Sequence, residues 1–111
     1  MAKLRHSMWL FLIGLALVLV LAVVLTRSAA GQDAQEGYRV AKRWCASCHI
    51  VEGRDVSDTA PSFAQVANDP AITAAGLRTW LSSPHSSMPD FNLSRGEIDQ
   101  IIAYIESLKA N

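Results

Sequence analysis

The sequence predicts an all-α domain behind an N-terminal hydrophobic helix, and three observations carry that prediction. From residue 33 onward, apolar side chains recur at steps of three and four. No stretch alternates with the period of two that a half-buried strand requires. Cap signals and prolines divide the segment into about four short helical stretches, with no internal repeat.

The first element is a leader. Met8 to Leu25 is eighteen residues in which Gly14 alone falls outside the hydrophobic set, and it follows Lys3, Arg5 and His6. As a helix it spans roughly 27 Å at about 1.5 Å per residue, close to a hydrocarbon core of ~30 Å. That length suits a membrane anchor, whereas Ser28 and Ala30 supply the small residues at which a signal peptidase cuts. Residues 1–30 are therefore a signal peptide or an N-terminal anchor, and residues 31–111 the folded domain. Either way the basic N-terminus stays in the cytoplasm and the domain is delivered to the far side, with Arg27 as a minor exception to the charge rule.

Within the domain, Asp33 to Cys48 reads as a helix. Ala34, Gly37, Tyr38, Ala41, Trp44, Cys45 and Cys48 share one face, opposite Gln35, Glu36, Arg39, Lys42 and Arg43. Residues 52–60 are rich in turn formers and read as a loop. Pro61 suits the first turn of a short helix over Ser62 to Ala67, ended near Asn68, Asp69 and Pro70. Thr73 to Ser82 is a further helix expected to bury Leu77, Trp80 and Leu81, broken before Pro84. Ser82 to Asn92 has no period and reads as a second loop. Ser94 and Glu97 form a capping box in front of Ile98, Ile101, Ile102, Ile105 and Leu108, the apolar stripe of a final helix.

The chain's ten basic and ten acidic residues are unevenly placed. Lys3, Arg5 and Arg27 give the leader +3, and the domain carries −3. A net negative domain does not suggest a nucleic-acid surface, and the length leaves no room for a second domain. Disorder is excluded by a core supply of Trp44, Trp80, Tyr38, Tyr104, Phe63 and Phe91. Yet four short helices make a thin core, and loops this long usually serve something. A bound prosthetic group would answer both.

Cys45, Ala46, Ser47, Cys48 and His49 spell C-x-x-C-H, the attachment pattern of a c-type haem. Three residues along a helix end put both sulfurs on one side, within reach of two vinyl groups, and the adjacent histidine is presented to the iron. A structural zinc site would need four ligands, and outside the motif the domain offers His85 alone. A thioredoxin-like dithiol lacks its βαβ setting, and a Cys45–Cys48 disulfide closes too small a loop to stabilise much.

With those residues in view, the sequence resembles the small single-haem class I cytochromes c of bacteria over Gly37 to Leu108. Besides the motif, Gly37 lies eight residues before Cys45, where that family has a glycine at the crossing of its first and last helices. Tyr104 matches the aromatic residue packed on that crossing. Pro61, twelve residues after His49, matches the proline whose carbonyl accepts the imidazole proton, and Met88-Pro89 with Phe91 resembles the loop of the distal ligand. Ala41 departs from the aromatic residue common four positions before the first cysteine, with Tyr38 or Trp44 expected to fill the gap. Ala60 departs from the glycine common before the proline. Trp80 and Arg54 could approach the haem propionates.

The resemblance implies a cytochrome c fold around one covalent haem c, with His49 and Met88 as iron ligands; the alternatives to Met88 are His85 or an open or water-bound position. A closed iron implies a one-electron carrier and not an enzyme. A haem enzyme or gas-binding sensor with a labile Met88 is the alternative. The implied partners are a redox donor and acceptor, met by a monomer on the periplasmic side of the bacterial inner membrane, tethered or diffusible. With Lys42 and Lys109 as the domain's lysines, docking is expected on a basic or mixed partner patch.

Overall fold

The structure is a computed structural model that describes residues 2–53, 55, 59–83 and 88–110. It is all-α, with helices α1 (Ala2–Trp44), α2 (Phe63–Asn68), α3 (Ala74–Leu81) and α4 (Arg95–Ser107). The chain divides into two compact units, residues 1–31 and 32–111. In the first, every described side chain from Met8 to Leu25 is exposed, on a helix long and apolar enough to cross a membrane. Thr26 and Ser28 donate their hydroxyls to Val23 and Val24 carbonyls one turn back, so the polar side chains below the apolar run stay satisfied without leaving the helix.

Helix α1 corrects the sequence reading at both ends. It continues through Gly31, where a lone glycine costs about 1 kcal/mol but does not break a helix. It stops at Trp44, not Cys48. The amides of Cys48 and His49 both turn back to the Cys45 carbonyl, at 3.1 and 2.9 Å, and this closes a tight turn through the C-x-x-C-H segment.

The second unit packs on α4. Ile98, Ile101, Ile102 and Ile105 are buried, and a core forms with Ala41, Cys45, Val51, Phe63 and Ala67. Ser94 caps α4 through the full capping box with Glu97. The backbone hydrogen bond from Ser94 holds the Glu97 carboxyl below the usual carboxylate range. The crossing of α1 over α4 falls on Gly37. A Cβ there would overlap the Gln100 carbonyl and stand 2.9 Å from the Cβ of Tyr104, so only glycine allows this approach. Tyr38, not Trp44, packs on the crossing, edge-on to Tyr104 with ring centroids 5.3 Å apart. Ala41 is fully buried beneath it.

Two further corrections concern the short helices. Pro61 is not in the first turn of α2, because Ser62 is the N-cap and makes a capping box with Gln65. In α3, capped by Thr73, none of Leu77, Trp80 and Leu81 is buried; Trp80 is 58% exposed. The reason is that the apolar face of α3 also forms one wall of a cavity, so Leu77 and Leu81 are only partly buried against the core. Arg78 of α3 reaches across to Asp99 of α4 with two guanidinium nitrogens on one carboxylate oxygen.

Candidate haem-binding site

The C-x-x-C-H turn opens into a cavity of about 420 Å³, within the ~300–1,000 Å³ typical of small-molecule sites. Cys45, His49, Pro61 and Phe63 line one side, Ile72, Thr73, Gly76, Leu77, Trp80 and Leu81 another, with Met88 and α4's Ile101 and Ile105 completing it. No charged side chain lines it among the described residues. The cavity thus offers an imidazole, a thioether sulfur and a thiol in an otherwise apolar enclosure.

The orientation of His49 is closely determined. Its Nδ1–H donates to the Pro61 carbonyl at 2.7 Å, which leaves Nε2 as the nitrogen with a free lone pair. Phe63 stands edge-on to the imidazole with centroids 5.6 Å apart. Pro61 is in turn held by its successor, since Ser62 caps α2 and the Phe63 amide donates to the Ile50 carbonyl at 3.0 Å. The following residues are strapped down as well. Tyr104 donates its hydroxyl to the Val51 carbonyl at 2.6 Å, while Tyr38 and Lys42 both donate to Glu52 at 3.0 and 3.2 Å. Burial pushes the Tyr104 phenol up, so it remains a donor through neutral pH.

The two cysteines differ. Cys45 is buried, and burial pushes its thiol up; Cys48 is exposed and is not among the cavity's lining residues. They are not joined in a disulfide. Among the described residues no group of three or more His, Cys, Asp and Glu side chains could hold a metal ion, so the zinc reading gains nothing. Met88 is half-buried and lines the same cavity as His49, on a loop whose exit bends at Asn92, a non-glycine residue with φ of 51° whose amide is held by the Asp90 carboxylate. His85 and Arg54 lie outside the described residues. Sequence reasoning missed Thr73, Gly76 and Phe63 as lining residues, because wall positions on a short helix carry no motif of their own. The Ser62–Gln65 capping box was available as an S-x-x-Q signal.

A family model for the cytochrome c oxidase, cbb3-type, subunit III matches residues 32–105, the whole span that builds this cavity. The chain belongs to the single-haem c-type cytochromes. A cytochrome c-552 of Bradyrhizobium diazoefficiens is 47% identical over 104 residues, covering 92% of this chain and 99% of that protein. No solved structure matches it significantly. The cytochrome carries one covalent haem c and serves electron transfer. The cavity fits that group on its own terms, being apolar, of matching scale, and faced by one nitrogen and one sulfur donor. The cytochrome's apolar N-terminal helix fits a membrane anchor or an export signal.

Proposed function

We propose that this cytochrome is a one-electron carrier whose haem is attached through Cys45 and Cys48 and whose iron is ligated by His49 and Met88. The observation that carries this reading is the convergence of Cys45, His49 and Met88 on one uncharged cavity, with the His49 Nδ1–H committed to Pro61. When bound, the haem supplies a one-electron iron couple. The residues do the rest. The Pro61 carbonyl fixes the imidazole plane and strengthens Nε2 as a donor, which favours the oxidised state. Met88 supplies a soft sulfur that favours the reduced state, and the apolar walls exclude water and raise the potential further. With His49 and Met88 both holding the iron, the protein would leave no place on it for substrate or dioxygen. A catalytic or gas-sensing reading needs a labile Met88 and a distal proton donor. Among the described lining residues, His49 and Cys45 are the titratable ones, and in this reading both are already committed to holding the haem.

The leader supports a periplasmic-side location, with residues 8–25 as the tether. The eighteen-residue apolar run from Met8 to Leu25, longer than the apolar region of about 7–15 residues usual in a cleaved signal, favours an anchor. Partners meet an acidic domain at weak, salt-sensitive contacts. Replacing the ligand tests the reading. Met88→Ala lowers the reduction potential by on the order of 0.1–0.3 V, a fraction of the ~0.8 V that axial ligands span, and opens the iron to carbon monoxide. An unchanged potential would remove Met88 from the iron.

A further inference from the structure

Trp44 and Phe91 do not line the haem cavity, yet they touch each other, with ring centroids 5.6 Å apart and planes inclined by 35°. Trp44 is the last residue of α1, directly before Cys45, and 40% of it is exposed. It adds little to the core. What its ring does instead is join the segment that bears Cys45 and His49 to the loop that bears Met88, three residues before Phe91.

That loop is stiff on the far side of the contact. The Asp90 carboxylate accepts the Asn92 amide at 2.8 Å, Asn92 sits in the left-handed region, and Ser94 then caps α4. On the near side, Leu81, Met88, Pro89, Phe91 and Leu93 border a residual space of only about 10 Å³, the size of a single water at most. Phe91 and Met88 thus border one small space with little slack between them.

We propose that the Trp44–Phe91 pair is a clasp that sets how readily Met88 leaves the iron. Both are positioning residues, acting on Met88 through the Pro89–Phe91 segment, and the proposal rests on the reading of Met88 as a ligand. Swinging the methionine out carries the loop away from α1 and breaks the ring contact, so the pair biases the equilibrium toward the closed, electron-carrying state. An aromatic pair of this kind shifts such an equilibrium by about two- to tenfold beyond its buried area.

The test uses the haem-loaded full chain as wild type, Trp44→Leu, Phe91→Leu, the double variant and Trp44→Phe. Leucine keeps an apolar body at each position, which guards against simple misfolding. Carbon monoxide binding to the ferrous protein is timed, and thermal stability is measured alongside. In the wild type the ferric far-red band of a methionine–iron bond is present and carbon monoxide binds slowly. Each single leucine variant binds about two- to tenfold faster, the double variant no faster than the quicker single, and Trp44→Phe returns to the wild-type rate. Unchanged rates with a lowered Tm reduce the pair to a structural contact and overturn the clasp. So do two effects that multiply independently in the double variant. A wild type that lacks the far-red band and binds carbon monoxide at once removes Met88 as ligand, and the clasp falls with that reading.

Discussion

Gly37 is the residue on which the crossing of α1 and α4 depends. Its missing Cβ would overlap backbone, which cannot swing aside as a side chain does. Gly37→Ala is expected to destabilise the haem-loaded protein by about 1–3 kcal/mol or more, the cost of overpacking, measured by denaturant midpoint. The carboxylates give a pH prediction. Glu97 is held below the usual range first by the Ser94 backbone amide, and Glu52 first by Lys42. A depressed folded value means both contribute stability that is full at neutral pH and lost as the pH falls through the carboxylate range and below it. Glu97→Gln keeps a capping side chain but cannot titrate, so its stability should fall less steeply with acid than that of wild type. An equal slope would show that Glu97 has no part in acid unfolding. At this scale much was legible. C-x-x-C-H is readable because thioether chemistry demands a fixed spacing, and the Ser94–Glu97 box because capping does. Met88 as a cavity-lining residue was reachable only by resemblance and as the domain's single methionine, since a loop position carries no local pattern. The Trp44–Phe91 contact joins residues 47 positions apart and left no signal.

The helices differ in what holds them. Helix α4 buries four isoleucines and is boxed at its start, and its end is tied by Asn68, whose side chain donates to the Leu108 carbonyl and accepts from the Ala110 amide. Helix α3 buries none of its residues, and its fastening to α4 includes the exposed Arg78–Asp99 pair. Native-state hydrogen exchange of the haem-loaded protein should find α4 most protected and α3 opening well before global unfolding. Equal protection in the two would mean that the cavity wall is as firmly built as the core. The contrast explains where periodicity misled. The three-to-four spacing of Leu77, Trp80 and Leu81 correctly indicated a helix with one apolar face. Periodicity cannot say whether such a face meets protein or a prosthetic group, so burial was predicted where cavity lining was found. The early end of α1 has a similar origin, because the turn through Cys45 to His49 is built from two amides sharing one carbonyl, a detail of geometry and not of residue type.

At the scale of the whole molecule, the balance of ten basic and ten acidic residues separates into a basic, apolar N-terminal segment and an acidic domain. Fractionation of the mature protein with N-terminal sequencing checks the tether: a start at Met1 or Ala2 in membranes is expected, and a soluble product starting near Gly31 would make it diffusible. The central claim, however, concerns the iron. A visible spectrum of the purified wild-type protein at neutral pH, taken oxidised, reduced, and reduced under carbon monoxide, tests it most directly. A His49- and Met88-ligated carrier gives sharp reduced c-type bands, a weak far-red band when oxidised, and a reduced spectrum that carbon monoxide alters only slowly. A missing far-red band together with immediate conversion by carbon monoxide would show an open iron and contradict it.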